Sequence, residues 1–387
     1  MAAKVGEERF VFETEWFDAQ ASLIRKYLFT FYPGDRTIEM YDLKNKKVFL
    51  KRMACPGVSM DELFIGSIIT VYARQLKLVE YGDLFTRQRF ESKRQRTFAM
   101  IKPDSYTNTG KIIDAIYQNG FVISKLKMGR FSNESAGQFY GEHRGKSFYN
   151  GLIDFMTSDV VTGIELVAEN AVERWRQLIG PTKTSVAKVQ NPNTIRAIFG
   201  TDDTKNAVHG SDSGPSWKRE TDSFFSPNVK HSAYYTSCAV CVIKPHAVAS
   251  GDAGKIIDII LEEGFEVSAM EMFTLDKPTA EEFLEVYRGV LPEFVALIEQ
   301  MTQGPCIVME IRQENAVKAF RDLAGPMDPE IAKNLRPNTL RQQYLFLNYR
   351  YRARFGLDKV KNAIHCTDLP EDGSLESEYF FSIMQKE

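Results

Sequence analysis

Residues 96–128 read RTFAMIKPDSYTNTGKIIDAIYQNGFVISKLKM, and residues 238–272 repeat the pattern as CAVCVIKPHAVASGDAGKIIDIILEEGFEVSAMEM. In each stretch a short apolar run is followed by a glycine turn, and the GKII motif begins an amphipathic helix. An alternating apolar run comes next, which is typical of a half-buried strand. The chain is therefore interpreted as a duplication before single elements are assigned.

The repeat continues with fixed spacings toward the end of the chain. Arg341 lies 145 residues after Arg196, whereas His365 lies 156 residues after His209. The difference between the two spacings indicates an insertion of 11 residues at 342–352, QQYLFLNYRYR, in the second copy. Such a loop can bind a partner, be alternatively spliced, or use its aromatic and arginine side chains as a nucleic-acid platform.

The order of elements predicts the fold class. Each copy continues as strand, helix, strand, helices, strand and helix, which predicts an α+β fold with helices covering a mainly antiparallel sheet. Six short aromatic-rich runs between residues 8 and 82 predict a small all-β module. The stretch TRQRFESKRQR at 86–96 is expected to be a polar linker, with contact to an acidic partner as the alternative. A second linker at 226–236 separates the copies.

Composition excludes several classes of protein. The hydrophobic fraction of 43% and the charged fraction of 26% are typical of globular chains, and the net charge of −2 gives no field that would attract nucleic acid. No apolar run reaches the ~18–20 residues of a spanning helix. The start MAAKVGEERF lacks an apolar signal core, so we expect a cytosolic location. Cys238 and Cys241 form a CxxC that we interpret as part of a buried strand, with a metal or redox site as the alternative.

The chemistry of the chain is indicated by its histidines. Imidazole is mostly neutral near pH 7 and can act as a nucleophile that carries a phosphoryl group. A histidine in HGSD, together with a lysine, two arginines and a glutamate, suggests phosphoryl handling. The sequence contains no GxxxxGK[ST] motif, so phosphates would have to be held by side chains.

Together, IKPD with GKII, the T-I-R triplet and N-x-x-HGSDS resemble the nucleoside diphosphate kinase family, over roughly residues 95–383. The N-terminal module resembles a DM10 domain, and DM10 followed by two kinase-like copies is similar to family members associated with ciliary axonemes. The resemblance implies two tandem ferredoxin-like nucleoside diphosphate kinase domains and a ping-pong reaction through a phosphohistidine. We expect boundaries at 1–92 for the DM10 domain, 95–225 for the first kinase domain and 237–387 for the second.

The resemblance also assigns roles to residues of the first copy. These are the nucleophile His209, the ring-orienting Ser211 and Glu220, the adjacent Tyr140, the phosphate- and sugar-binding Lys102, Arg176, Thr182, Arg196 and Asn206, and the base-stacking Phe148 and Leu152. Stacking on a ring would explain low selectivity among bases. Mg²⁺ is expected to arrive with the nucleotide phosphates, without a metal site made by the protein.

The second copy keeps part of this pattern. The matching residues are Lys244, Leu297, Arg321, Arg341, Asn362, His365 and Glu376. Departures are expected to impair this site, because Glu293 replaces a base-stacking phenylalanine, Met327 a threonine and Glu285 the tyrosine. Cys366 replaces a glycine, and its Cβ is expected to disturb the histidine.

The resemblance predicts an enzyme that transfers the γ-phosphate of a nucleoside triphosphate to a nucleoside diphosphate through His209. The alternative is a mainly structural protein of the ciliary axoneme that retains the kinase fold as a scaffold. The expected partners are nucleoside di- and triphosphates, tubulin and other axonemal proteins, without a membrane or a nucleic acid. The expected location is the cytoplasm, the cytoskeleton and the cilium. We also expect the two copies to pair with each other.

Overall fold

A computed structural model describes residues 8–18, 21, 23–91, 95–336, 338–341 and 355–386. The chain forms two compact units: residues 1–94 with 274–304, and residues 95–273 with 305–387. The insertion predicted at 342–352 lies outside the described residues, and so does the middle of the first predicted linker.

The strands in the described residues are β1 (Phe10–Asp18), β2 (Leu23–Tyr32), β3 (Thr37–Asp42), β4 (Lys47–Ala54), β5 (Ile68–Val71), β6 (Arg74–Tyr81), β7 (Gln95–Ile101), β8 (Val122–Arg130), β9 (Val161–Ala168), β10 (Val208–Gly210), β11 (Lys230–His231), β12 (Cys238–Ile243), β13 (Glu266–Phe273), β14 (Cys306–Arg312) and β15 (Ile364–Cys366). The α-helices are α1 (Leu84–Glu91), α2 (Thr109–Gln118), α3 (Asn133–Phe139), α4 (Tyr149–Met156), α5 (Ala171–Ile179), α6 (Thr184–Gln190), α7 (Ile195–Phe199), α8 (Gly214–Phe224), α9 (Pro245–Ala249), α10 (Ala253–Glu262), α11 (Lys277–Phe283), α12 (Phe294–Met301), α13 (Ala316–Ala324), α14 (Pro329–Leu335) and α15 (Asp372–Glu378).

The N-terminal region forms an antiparallel sheet of six strands in the order β4-β3-β2-β1-β6-β5. Its six predicted runs are all strands, so that part of the prediction is confirmed. In β2, Tyr27, Phe29 and Phe31 are buried while the residues between them are partly exposed. This alternation directs every second side chain toward a hydrophobic core on one face of the sheet.

Helix α1 corrects the prediction of a polar linker at 86–96. Phe90 is buried and packs edge-on against Phe10, with ring centroids 4.8 Å apart. The hydroxyl of Thr86 accepts a hydrogen bond of 2.8 Å from the amide of Val11. Two buried residues therefore attach a charged helix to the sheet, a pattern too sparse to stand out as amphipathic in the sequence.

The two kinase-like copies share one continuous sheet. Its order is β10-β7-β9-β8-β13-β14-β12-β15, and β11 pairs with β8. In the first copy, β10, β7, β9 and β8 are the fourth, first, third and second strands along the chain. The second copy has the mirror order. This order is that of a ferredoxin-like fold. The junction lies between β8 and β13, where Lys127 is opposite Glu271. The expected pairing of the copies is confirmed.

Helices α2 and α10 cross at two glycines. A Cβ at Gly110 would meet the backbone of Asp258, and a Cβ at Gly254 would meet the backbone of Asp114. Only glycine permits this approach, because any side chain would force the helices apart. Beside the crossing, the Tyr106 hydroxyl bridges the copies by accepting from Val267 N at 2.8 Å and donating to Val267 O at 3.1 Å.

The predicted linker at 226–236 is anchored by one buried carboxylate. Glu310 Oε1 accepts from the amide of Tyr234 at 2.7 Å, and Oε2 accepts from the amide of Tyr235 at 2.8 Å. The hydroxyls of Ser268 and Ser377 donate to the same two oxygens at 2.6 Å and 2.5 Å. Four donors offset the cost of burying this charge, and two of them attach the linker's backbone to the second copy.

The CxxC lies in β12, where Cys238 and Cys241 are buried, which confirms the strand interpretation. Burial raises the pKa of both thiols, so the metal and redox alternative has no support. Among the described residues, no helix has the length and apolar character needed to cross a bilayer.

Candidate active site

His209 lies on the short edge strand β10, which pairs with β7. The residue two places earlier, Ala207, has φ of 70°, a conformation that costs a non-glycine residue on the order of 1 kcal/mol. Two contacts hold it: its amide donates to Asp104 Oδ2 at 3.0 Å, and its carbonyl accepts from the amide of Lys102 at 2.9 Å. The IKPD motif therefore sets the path of the chain into His209.

The orientation of the His209 ring is fixed by Glu220 on α8. Nε2 of His209 lies 3.0 Å from Glu220 Oε2, and the Ser211 hydroxyl donates to the same oxygen at 2.6 Å. The hydroxyl of Ser211 is itself held by the amide of Phe98 at 3.2 Å. An ionised carboxylate only accepts, so Nε2 carries the proton and Nδ1 keeps the lone pair.

Aromatic rings enclose the histidine on its inner side. The Tyr140 and His209 ring centroids are 6.2 Å apart at 88°, and Phe139 is edge-on to His209 at 5.6 Å. Burial, with a smaller contribution from Glu220, raises the pKa of the Tyr140 hydroxyl. This phenol therefore stays protonated at neutral pH and can act as a donor.

Two positively charged side chains of the same cleft are hydrogen-bonded to neutral groups and not to carboxylates. Lys102 Nζ donates to Asn206 Oδ1 at 2.7 Å and to Thr204 O at 3.1 Å. The Arg196 guanidinium donates to the carbonyls of Gly180 and Val208 at 2.8 Å and 3.1 Å. These partners are neutral, so the positive charges are left for an anion.

Burial, reinforced by Arg196, lowers the pKa of Lys102 from 10.5 to about 8. Burial and the nearby Arg176 lower the pKa of Arg196 to about 10. Both shifts have the sign expected when like charges are gathered in a partly dry site before their ligand arrives.

The outer part of the cleft combines an apolar wall with exposed polar groups. Phe148 is 51% exposed at the start of α4, and Leu152 is buried one turn later on the same helix face. Arg176 lies in the last turn of α5, and Thr182 follows it on an exposed loop. Ten of the predicted residues line one cleft, namely Lys102, Tyr140, Phe148, Leu152, Arg176, Thr182, Arg196, Asn206, His209 and Glu220, while Ser211 lies behind the histidine.

Trp175 is a site residue that the sequence interpretation missed. Its indole Nε1 donates to the His209 carbonyl at 3.3 Å, and a Cβ on Gly210 would lie 2.5 Å from this indole. In the second copy, Phe320 stands at the tryptophan's position and Cys366 at the glycine's. The sequence signal for Trp175 was therefore a pair of differences between the copies, tryptophan with glycine in the first and phenylalanine with cysteine in the second. Because a phenyl ring is smaller than an indole ring, the reason for expecting Cys366 to displace His365 is removed.

The second copy retains much of the histidine's surroundings. His365 Nε2 lies 3.4 Å from Glu376 Oε1, and the Thr367 hydroxyl donates to Glu376 Oε2 at 2.6 Å. His365 is buried, with 7% of its surface exposed. Lys244 Nζ donates to Val360 O at 2.9 Å, and burial, reinforced by an arginine, lowers its pKa to about 7.

Two other anchors of the second copy keep the backbone contacts of their first-copy equivalents. Arg341 donates to the carbonyls of Gly325 and Ile364 and to the Cys366 sulfur. Asn362 Nδ2 donates to Met327 O at 2.9 Å, so the backbone contact survives although the threonine hydroxyl is lost.

Arg321 forms an ion pair with Asp368. In the first copy the equivalent carboxylate, Asp212, is instead held by the hydroxyls of Ser213 and Ser216 at 3.0 Å and 2.6 Å. Leucine and aspartate replace those serines in the second copy. Both side chains of this pair are partly exposed, at 46% and 40%, so its energy is small. Glu285, Glu293 and Leu297 belong to the other compact unit.

A protein-made metal site is not found in the described part of the chain: no group of three or more histidine, cysteine, aspartate or glutamate residues is arranged to hold an ion. Asp203 and Asp212 are carboxylates of the cleft that are not bonded to the histidine. Their hard oxygens fit a divalent cation that arrives already coordinated by phosphates.

Comparisons with known proteins agree with this geometry. The family model "Nucleoside diphosphate kinase" matches residues 95–229 and 237–385. The model "Nucleoside diphosphate kinase 7 N-terminal PH domain" matches residues 4–92, so the resemblance to a DM10 domain is not confirmed.

Three relatives are similar to the chain over nearly all of their own lengths. "Nucleoside diphosphate kinase homolog 7" of Rattus norvegicus and that of Mus musculus are each 44% identical over 388 residues, covering 99% of this chain and 95% of the relative. "Nucleoside diphosphate kinase" of Aquifex aeolicus is 46% identical over 134 residues, covering 34% of this chain and 94% of the relative.

The contact between residues 175 and 210 predicts a rescue between two substitutions. Gly210→Cys alone should destabilise the chain by about 1–3 kcal/mol, because its Cβ meets the indole ring. Adding Trp175→Phe, which recreates the second copy's pair, should recover part of that loss, as measured by the free energy of unfolding of all three variants. Gly214→Ala is the matched control, because its Cβ enters open space. Strictly additive effects would contradict the compensation.

The lowered pKa of Lys102 predicts a pH dependence of stability. Between pH 8 and pH 10.5 the unfolded chain binds more protons at this residue than the folded chain does, so stability rises with pH across that window. The melting temperature of the wild-type chain should therefore rise relative to that of Lys102→Met as pH increases from 7 to 10.

Lys111→Met is the control for this series, because Lys111 pairs with Glu262 at 3.1 Å and its pKa is raised. The melting temperature of the wild-type chain should not rise relative to that of this control at high pH, and any change should be a fall. A constant difference between wild type and Lys102→Met across the pH range would contradict the assignment.

Proposed function

The chain belongs to the nucleoside diphosphate kinase family, and from this membership we propose that its first copy transfers the γ-phosphate of a nucleoside triphosphate to a nucleoside diphosphate through phospho-His209. One observation carries the proposal. Glu220 holds Nε2 of the ring, which leaves a lone pair on Nδ1 in a cleft lined by cations that are bonded only to neutral oxygens.

The first half of the reaction forms a bond from Nδ1 to the γ-phosphorus. The bond from that phosphorus to the β–γ bridging oxygen breaks, and its electron pair leaves with the nucleoside diphosphate. The ring gains positive charge in this step, and Glu220 stabilises that charge through Nε2–H. The second half reverses these changes when the terminal phosphate oxygen of another diphosphate attacks phospho-His209.

Electrostatic stabilisation would come from the cations described above. Lys102, Arg176 and Arg196 offer N–H donors to phosphate oxygens, on which negative charge redistributes as the phosphoryl group moves. Lys102 and Arg196 are already held by neutral acceptors, so little reorganisation accompanies binding. Phe148 and Leu152 offer apolar faces to the base, a contact that every base can make.

Mg²⁺ fits this cleft as a companion of the nucleotide. Bound to the phosphates, it would supply charge neutralisation. Asp203 and Asp212 would hold or orient its water ligands, while Glu220 remains committed to the histidine and Ser211.

We propose that the second copy is impaired in this reaction. His365 and Glu376 persist, but Arg321 is paired with Asp368 and Met327 lacks the hydroxyl of Thr182. Glu293 adds a carboxylate at the position of the base-stacking phenylalanine. The shared sheet supports a role for this copy as the structural partner of the first.

Incubation of the full chain with γ-labelled ATP tests the reaction. Acid-labile, alkali-stable label should reach about one phosphate per chain, because phosphohistidine forms on one copy. His209→Ala should remove nearly all of it, whereas His365→Ala should leave it close to the wild-type value. If each substitution halved the incorporated label, both sites would be active. If the intact chain took up no label, the enzymatic proposal would be refuted.

A structural role in the cilium is the second function that we propose. Its support is the order of domains: an all-β N-terminal domain, for which the DM10 assignment remains part of this proposal, precedes two paired kinase copies. The exposed surfaces of these domains would bind tubulin and neighbouring axonemal proteins in the cytoskeleton. Kinase activity and this role are compatible.

Localisation of the tagged full chain in ciliated cells tests the structural role. The wild-type chain should coincide with axonemal tubulin, and His209→Ala should do so equally, because docking would not need phosphoryl transfer. A diffuse distribution of both chains would contradict axonemal binding. Loss of the signal in His209→Ala alone would show that placement depends on the enzyme.

A further inference from the structure

Trp175 links a helix of the first cleft to the strand that carries the histidine. It lies in α5 directly before Arg176, whose side chain lines the cleft, and it is fully buried. Its indole Nε1 donates to the carbonyl of His209 at 3.3 Å. The main chain of the nucleophile is therefore bonded to the helix that supplies a phosphate-binding cation.

The indole ring also lies against the main chain next to the histidine. A Cβ on Gly210 would lie 2.5 Å from both Cδ1 and Nε1 of the indole, and 3.2 Å from the side chain of Ile179. The edge of the ring thus contacts the backbone of Gly210 directly. Strand β10 cannot move toward α5 without displacing a buried ring, because the interior is closely packed.

The position of the ring is itself fixed by the core. Trp175 belongs to the hydrophobic core of the kinase unit, and Phe121 packs edge-on against it, with ring centroids 6.1 Å apart at 85°. A ring held on its faces and edges has one position for its N–H group. It can therefore act as a fixed reference for a strand that is less firmly held.

Strand β10 is a strand that needs such a reference. It has three residues and lies at one end of the order of strands in the sheet, where His209 is opposite Met100 of β7. Glu220 and Ser211 orient the imidazole ring, but they act beyond Cβ. A shift of the main chain at His209 would move Nδ1 whatever the orientation of the ring, and the bond from Trp175 acts on that main chain.

The second copy keeps the packing at this position and loses the donor. Phe320 stands where the first copy has tryptophan, and it packs edge-on against Phe265 at 5.5 Å, as Trp175 does against Phe121. A phenyl ring has no N–H group to offer to the carbonyl of His365. The two copies therefore separate the packing role of this position from its hydrogen-bonding role.

We propose that Trp175 is a positioning residue for phosphoryl transfer. Its N–H group holds the His209 carbonyl, so that Nδ1 stays at the distance required from a phosphate bound by Arg176. This inference rests on the proposed function of His209. Because Trp175 is buried and acts through the main chain, its loss should slow the transfer and leave the affinity for the nucleotide unchanged.

The test removes the N–H group while keeping the shape of the side chain. Benzothienylalanine, an isostere of tryptophan with sulfur in place of the N–H, replaces Trp175 in the full chain. The maximal rate of phosphohistidine formation from γ-labelled ATP should fall by about tenfold, because a small displacement of a reacting atom is costly. The ATP concentration that gives half of this rate should stay within about twofold of the wild-type value.

The same isostere in place of Trp217 is the matched control. The indole Nε1 of Trp217 donates to Glu165 Oε2 at 3.2 Å, a bond of similar length that does not involve the histidine. This chain should react like the wild type. Trp175→Phe with Gly210→Cys should transfer phosphate slowly although part of its stability is recovered, because its phenyl ring has no donor.

A measurement without nucleotide separates this inference from the proposed reaction. The Nε2 proton of His209 is hydrogen-bonded to Glu220, and its exchange with water is followed by NMR. Exchange should accelerate by on the order of fivefold with the isostere at position 175, but not with the isostere at position 217, because the main chain is held less firmly. If the intact chain took up no label, the proposed function would fail, and this exchange would still decide the role of Trp175.

Transfer at the wild-type rate by the chain with the isostere at position 175 would overturn the inference. Equal slowing by the two isosteres would do the same, and so would a change confined to the half-saturating ATP concentration. Unchanged exchange of the Nε2 proton would also refute it, since the carbonyl bond would then have no effect on the histidine.

Discussion

The approach of two helix backbones at Gly110 and Gly254 is the constraint on which the kinase unit depends. Helices α2 and α10 cross there with no room for a side chain on either glycine. Their closeness allows β8 and β13 to meet and joins eight of the nine strands in one path, with β11 pairing beside it. A larger residue at either position would separate the helices and strain every contact at the junction, including the Tyr106 bridge to Val267.

The two copies share this frame but differ in how they hold their charged side chains. In both copies the buried lysine and arginine rest on neutral oxygens, Lys102 and Arg196 in the first and Lys244 and Arg341 in the second. The difference lies at Arg321, which is paired with Asp368 in the second copy. The difference coincides with a change around the carboxylate, because the two serines that restrain Asp212 are replaced by Leu369 and Asp372 beside Asp368. The two copies therefore keep the same histidine, glutamate and fold while the pairing of one arginine differs.

Sequence reasoning was most effective where motifs are distinctive. The IKPD motif, the TIR triplet and HGSDS together carry the resemblance to the kinase family, and the structure brings Lys102, Arg196 and His209 to one cleft, as that resemblance implies. It failed where the information lies between distant residues. Gly210 looked like a requirement of the histidine loop, whereas its lack of a side chain accommodates Trp175. Helix α1 was missed because Thr86 and Phe90 are its two buried residues, and two positions are too few to form an amphipathic pattern. The apolar face of α12 could be identified from its sequence, but its association with the N-terminal sheet could not.

Glu310 anchors the linker that joins the two copies, so their pairing responds to dilution differently from the pairing of separate subunits. Separate kinase subunits associate according to their concentration, whereas copies joined by a short, anchored linker meet at an effective concentration on the order of millimolar. The two halves of the unit are thus always present in a one-to-one ratio, and two first copies need not pair with each other. The contribution of the second copy to the shared sheet does not depend on the chemistry of its cleft, because the junction is made by β8, β13 and the helices behind them.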